Sequence, residues 1–239
     1  MSDAAENRLL AALPAPTRTR LVARSEVVAL AVRRTLHEAD QPIADVYFPL
    51  AGVVSLTTIT VAGDVVEVGL VGHEGLVGLP ALLDAGSSPF RSMVQVGGRA
   101  RRIAAPLLRE ETRRDAAFLG LVHRYAHLLL TQTAQAAACN RLHPVEQRLA
   151  RWLLMVQDRV GDSRFPLTQE FMAMMLGVRR GSVNIAAGML QHAGFVAYRR
   201  GTLTVLDRAG LESAACECYR LIRAEYERLF PAHGAPGGR

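Results

Sequence analysis

The chain has 239 residues, 50% hydrophobic and 21% charged, which is enough length and apolar content for a substantial globular core and excludes a disordered or fibrous protein. No apolar run reaches the ~18 residues of a membrane span. The opening MSDAAENRLLAALPAPTRTR carries early acids and no apolar secretory core, so a cytoplasmic protein without membrane contact is expected. The net charge of +6 is uneven: residues 135–239 hold 14 arginines against 9 acids, and residues 1–134 hold 14 against 13. Lysine is absent, which reads as codon bias. The arginine surplus in the second half suits a polyanion.

In chain order, residues 1–24 are predicted to form a short helical lead-in anchored by Leu9, Leu10, Leu13 and Leu21. From Ser25 to about Ile103 short valine-rich runs alternate with Gly, Pro and Asp: Val27–Leu30, Asp45–Pro49, Val53–Val61, Val65–Val71, Met93–Val96 and Arg99–Ile103. That rhythm predicts a β-barrel or sandwich, with Ala62-Gly63-Asp64 as a hairpin turn. Glu74–Asp84 should contain one helical turn, and Gly86–Pro89 a loop. After Pro106 the period becomes helical. Phe118–His143 reads as one long helix with a stripe at Leu121, Leu128, Thr131 or Gln132, Gln135, Ala138 and Leu142. Its length points to packing on a second copy, with an intramolecular core helix as the alternative. Pro144 ends it, and a new helix runs from Val145 to about Arg159 before the loop Gly161–Pro166.

The next stretch, Leu167–Leu206, has the pattern of a helix-turn-helix with a β-wing. Thr168 can cap a first helix, with Glu170 in its first turn and Phe171, Met172, Met175 and Leu176 along one face. Gly177 supplies the corner. A second helix opens near Arg180–Ser182, carries Val183, Ala186, Ala187 and Leu190 inward, and stops at Gly194. Phe195–Tyr198 and Thr202–Leu206 form a hairpin turned at Arg199-Arg200-Gly201. An arginine-led second helix beside an arginine-tipped wing predicts a reader of double-stranded DNA. Arg179, Arg180, Ser182, Val183 and Asn184 would face bases. Arg199 and Arg200 would hold the backbone, with Thr168 and Gln169 at the start of the first helix completing the set. A last amphipathic helix, Arg208–Phe230, is expected after the cap Asp207, and residues 231–239 read as a disordered tail.

A β-module, a long helix and a winged helix-turn-helix, in that order, resemble the Crp/Fnr family of bacterial transcription regulators. The likeness rests on Val46–Leu56 (VYFPLAGVVSL), Cys139–Leu154 (CNRLHPVEQRLARWLL) and Pro166–Leu190 (PLTQEFMAMMLGVRRGSVNIAAGML). It implies an α+β chain that divides into a β-roll sensory domain with its lead-in (residues 1–117), a dimerisation helix (118–143) and a winged helix-turn-helix domain (144–230). It further implies a homodimer on a near-palindromic operator, with RNA polymerase as a partner and a small effector at the roll. Arg180 stands at the family's base-contacting arginine. Gly181 and Ile185 replace the Glu and Arg of the branch responsive to cyclic AMP, so the operator should differ. The family's nucleotide cradle is matched in part: Gly78 without the following acid, the pair Arg91-Ser92, and Thr133 followed by Ala134 instead of Ser. A cyclic nucleotide is therefore a possible ligand with an incomplete motif.

No iron–sulfur cluster is expected, since the family's cluster-binding branch uses cysteines near the N-terminus and here none precedes Cys139. His37, His73, His123 and His127 are available to a haem. Cys139, Cys216 and Cys218 form no disulfide framework and no CxxC, and Cys216-Glu-Cys218 is too tight for a usual zinc knuckle, so they read as buried thiols and no metal site is expected. GxSxG, P-loop, HExxH and GxGxxG patterns are all missing, which argues against an enzyme. The alternative is a small-ligand-binding protein whose helix-turn-helix serves protein contacts.

Overall fold

A computed structural model describes residues 6–230; the expected tail lies outside the described residues. Two short helices, α1 (Arg8–Ala11) and α2 (Ala15–Ala23), lead in. Asn7 is fully buried and stitches them to the rest. Its Oδ1 accepts from the Leu9 and Leu10 amides, while its Nδ2 donates to the Pro49 and Gly75 carbonyls. The roll follows with β1 (Glu26–Leu30), β2 (Thr35–His37), β3 (Asp45–Ile59), β4 (Val65–Val71) and β5 (Arg91–Ala104), a 3₁₀ turn at Leu79–Leu82 lying between the last two. All pairings are antiparallel, in the order β1-β5-β3-β4, with β2 also on β5.

Two expected pairs of short strands are single long ones. Val53–Val61 joins Asp45–Pro49 in β3, and Met93–Val96 joins Arg99–Ile103 in β5. They stay continuous because bulges around Ala51 let them bend instead of stopping. Gly52 (φ +89°) and Gly98 make that bend possible: a Cβ on Gly98 would sit 2.1 Å from the Ala51 carbonyl oxygen. The three-residue strand β2 is too short for any alternation to show in the sequence.

Helix α3 (Ala105–Arg114) leads to α4 (Ala116–Leu142), whose cap Asp115 accepts from the Ala117 and Phe118 amides. Pro144 forces His143 into an extended conformation, and α4 ends there. The inward face of α4 is Phe118, Leu121, Tyr125, Leu128, Gln132, Ala136 and Cys139. The predicted stripe therefore drifts off: its first half is right, but Ala138 and Leu142 face outward.

Helix α5 (Val145–Val160) opens the C-terminal domain, followed by β6 (Arg164–Pro166), α6 (Gln169–Leu176), α7 (Arg180–His192), β7 (Val196–Arg199) and β8 (Thr202–Val205). The segment expected as a loop thus contributes β6, which pairs with β8 to make the wing three-stranded, in the order β6-β8-β7. One apolar cluster runs through this domain from Trp152 and Phe165 to Leu211 and Ile222, and takes in Val53, Leu70 and Val96 of the roll. The two domains are therefore packed on each other.

The final helix is two. Ala215 is extended (ψ 150°), which separates α8 (Arg208–Ala214) from α9 (Cys218–Leu229). Amphipathic spacing alone could not reveal the break, because Leu211 and Ile222 remain inward on both sides of it. Helix α9 turns back so that Tyr226, Leu229 and Phe230 pack on the cluster containing Leu9, Leu10 and Leu128.

Candidate nucleic-acid interface

Helix α6 begins where the Thr168 hydroxyl accepts from the Phe171 amide, and ends at Gly177 in the left-handed region (φ +61°). The corner is held from behind by Arg148, a buried side chain of α5 that donates to the Leu176 carbonyl. Val183, Ala186, Ala187 and Leu190 seat α7 on this base. The opposite face is open: Arg179, Arg180, Gly181, Asn184, Ile185, Gly188 and Met189 are all exposed. Ser182 is half-buried, and Val183 is wholly buried and so serves the core instead of the outer face. Arg179 occupies the cap position of α7 without any side-chain acceptor, so the first-turn amides of this helix end have no cap.

The wing turn is tight. Arg199 pairs with Thr202, leaving Arg200 (φ +48°) and Gly201 (φ +76°) as its two central residues. Two positive φ values in succession define a type I′ hairpin, which lifts the exposed Arg199 and Arg200 to the tip. The Leu167 amide donates to the Gly201 carbonyl at 2.8 Å, which brings the start of α6 to the wing turn, with Thr168 exposed and Gln169 half-buried.

Of the residues matched to a nucleotide cradle, only Gly78 and Ser92 come together. Gly78 (φ +105°) and Ser92 line a cavity of about 100 Å³ with His37, Ile43, Phe90 and Leu129. Arg91 points away and pairs with Glu38 at 3.0 Å. The Thr133 hydroxyl donates within the protein, to the Leu129 and Val68 carbonyls. Nucleotide-sized ligands need roughly 300 Å³ or more. The four histidines are also dispersed. Burial lowers the pKa of His37, whose Nε2 is 2.8 Å from the Asp45 carbonyl oxygen; His73 faces the Arg159 carbonyl; His127 meets Glu225 at 2.8 Å; His123 is exposed.

A roomier cavity, about 360 Å³, lies where the roll, α4, α5 and α9 meet, among Glu74, Gln132, Arg159, Arg208, Tyr219 and Tyr226. At its floor Arg159 donates to Gln132 Oε1 (2.9 Å), and its Nε is 2.8 Å from Glu74. Gln132 donates to the Leu70 carbonyl. Close by, the Trp152 indole of α5 donates to Glu67 of β4 at 2.7 Å. Burial pushes Glu67 up from 4.5 to about 7, against the pull of that indole and of the Arg151 and Arg159 charges. Helical spacing pointed to Gln132 as a candidate for the inward stripe, but composition and periodicity did not single out Glu67 or Trp152; their burial among apolar neighbours is a tertiary fact. Sequence reasoning also missed that Cys139, His143, Cys216 and Cys218 converge, their ligand atoms all within 4.8 Å of one another. The Cys-x₃-His spacing at the end of a helix was the available signal, and only the break before Cys216 brings the second pair to it.

An arginine-led helix standing free beside an arginine-tipped wing, carried by a β-roll through a long helix, defines a winged helix-turn-helix protein. Residues 147–214 match the Crp-like helix-turn-helix domain. No curated protein matches the chain by sequence. Among solved structures, FixK2 from Bradyrhizobium japonicum superposes with a TM-score of 0.70 at 14% identity, over 80% of this chain and 98% of that one. CLP, the c-di-GMP-responsive global regulator of Xanthomonas campestris, gives 0.65 at 18%, over 80% and 99%. TTHA1359, a CRP/FNR-family transcriptional regulator from Thermus thermophilus, gives 0.64 at 20%, over 80% and 98%. The chain thus carries a Crp-like helix-turn-helix domain and shares its fold with Crp/Fnr-family regulators. No described helix is long and apolar enough to cross a membrane.

Proposed function

We propose that the protein is a sequence-specific DNA-binding transcription regulator that works as a homodimer on a near-palindromic operator and acts on RNA polymerase. The observation that carries this is the open face of α7, where Arg179, Arg180 and Asn184 stand exposed at a helix start whose amides have no cap. A guanidinium from Arg180 can bind guanine O6 and N7 together, and Asn184 can reach an adenine edge. Ser182, Thr168, Gln169, Arg199, Arg200 and the free amides would position the domain on phosphates.

Dimerisation through α4 is supported by its outward face. His123, Leu130, Ala134, Ala137 and Leu142 are exposed there, Leu130 by 68% and Leu142 by 71%. Pairing two such helices would set the recognition helices about one DNA turn, roughly 34 Å, apart. Any effector beneath Gly78 would be small. A cyclic nucleotide would require Arg91 to leave Glu38 and the cavity to open.

Selection of bound sequences from random duplexes tests the proposal. A palindromic motif should emerge whose affinity falls steeply with salt. Arg180→Ala should cost about 1–3 kcal/mol, roughly 10- to 100-fold, at one symmetric pair of positions and leave the oligomeric state unchanged. An unaltered motif in that variant would remove Arg180 from base recognition, and no enrichment at all would end the DNA-reading proposal.

A further inference from the structure

Three thiols and an imidazole meet at the hinge between α4 and the C-terminal domain, outside any feature the DNA-binding reading uses. Cys139 and His143 are one helical turn apart at the end of α4; Cys216 and Cys218 flank Glu217 in the break between α8 and α9. The Sγ atoms of Cys139 and Cys216 are 3.4 Å apart, and Cys218 Sγ lies 3.6 Å from His143 Nδ1. All four ligand atoms fit within 4.8 Å of one another. In a tetrahedral site with metal–sulfur bonds of ~2.3 Å and metal–nitrogen bonds of ~2.0 Å, neighbouring ligand atoms are separated by roughly 3.5–3.8 Å. The Cys139–Cys216 and Cys218–His143 spacings are of that size, and the others lie within 4.8 Å. We propose that Cys139, His143, Cys216 and Cys218 form a structural site for one thiophilic divalent cation, Zn²⁺ by its chemistry, which staples the end of α4 to the α8–α9 connection.

The surroundings suit this charge and geometry. The other ring nitrogen, His143 Nε2, is 3.2 Å from Glu217 Oε1, the carboxylate–histidine arrangement that orients an imidazole for a metal on its far side. Gln135 Nε2 is 3.2 Å from Cys218 Sγ and can donate to a thiolate. Three thiolates and one neutral imidazole around a divalent ion leave a net charge of −1, which a buried site must offset. Two buried arginines of α5 are placed to do so. Arg148 and Arg151 each leave Nε without a hydrogen-bond partner, and Arg151 otherwise donates only to Met155 Sδ among the described residues. A single ion explains the cluster better than a disulfide. Oxidation of Cys139 and Cys216 would use two of the ligands and leave Cys218 and His143 converging on nothing.

The test is metal content and cobalt spectroscopy on the full chain, purified under reductant. About one zinc per chain should co-purify. After chelation, one equivalent of Co²⁺ should produce the thiolate-to-cobalt charge-transfer band and strong visible bands of a tetrahedral site, which Zn²⁺ then bleaches. The double variant Cys216→Ser/Cys218→Ser should lose the charge-transfer band. His143→Gln should keep that band and shift the visible ones. Because the wild-type spectrum needs no variant to fold, it decides the matter alone. Folded, reduced wild type that takes up Co²⁺ without a thiolate band overturns the proposal, as does a band that survives undiminished in the double variant.

Discussion

Replacing Glu67 by glutamine isolates one proton at the seam between the roll and the DNA-binding domain. In the folded protein burial pushes the carboxyl up to about 7, and an unfolded chain returns it to about 4.5. Below pH 4.5 both states hold the proton. Between 4.5 and 7 only the folded state does, so stability falls as pH rises through that window and levels off above it. The separation is equivalent to roughly 3 kcal/mol, a large share of the stability of a typical domain. Glutamine keeps an oxygen for the Trp152 indole, 2.7 Å from Glu67 Oε1, and has nothing to titrate. Urea unfolding of both proteins from pH 4.5 to 8 cancels all other ionisations in the difference. The wild type should lose about 3 kcal/mol relative to Glu67→Gln across the range. A flat difference would mean the carboxylate is ionised throughout, and the enclosed-proton account of this seam would be wrong.

Two further substitutions probe other parts of the molecule. Leu130→Glu alters a side chain that the isolated chain leaves 68% exposed, so folding should be unaffected, while a dimer seam along α4 would lose two buried leucines. At about 2 kcal/mol each, that weakens association roughly 1,000-fold, readable by sedimentation; equal dimerisation of both proteins would place the seam elsewhere. Thr168→Ala removes the acceptor for the Phe171 amide and should cost about 1 kcal/mol in thermal or urea unfolding, with Thr168→Ser close to neutral. If serine proves as damaging as alanine, the cap is not what that hydroxyl contributes.

The helix-turn-helix was legible because every part of it is local. A capping threonine, a left-handed glycine and helical spacing of core residues all fall within a few turns of chain, and Thr168, Gly177 and Ala186 each do what their positions suggested, while Val183 keeps its core place and not the base-facing one. The long strands were harder. Nothing in Pro49 or Gly52 distinguishes a bulge from a turn until β5 lies alongside. The stripe on α4 went astray near its end because two sets of neighbours compete for one helix: the roll claims Leu121 and Leu128, and beyond Gln132 the face available to solvent holds alanines that carry little directional signal. The cradle residues illustrate a different limit. Arg91-Ser92 matches a motif in one dimension, but the pairing of Arg91 with Glu38 is set by a residue 53 positions away.

These two kinds of contact also suggest how the parts of the molecule would influence each other. Helix α7 rests on α6, and α6 is held by Arg148 of α5. Helix α5 in turn touches the roll through Trp152 and Glu67, and touches α4 through Arg159 and Gln132. Gln132 is one residue from Thr133 and faces inward from the helix whose other face would meet a partner copy. A shift of α4 along the roll therefore cannot leave α5 unaffected: either Gln132 leaves Arg159 and the Leu70 carbonyl, or α5 follows. Since the first course would leave the buried Gln132 amide without its two partners, following is the lower-energy course, and it carries α6 and α7 with it. A ligand or metal that fixes α4 at either end would bias the placement of the recognition helix by this route, because it changes the relative energy of two packed arrangements instead of bending a soft linker.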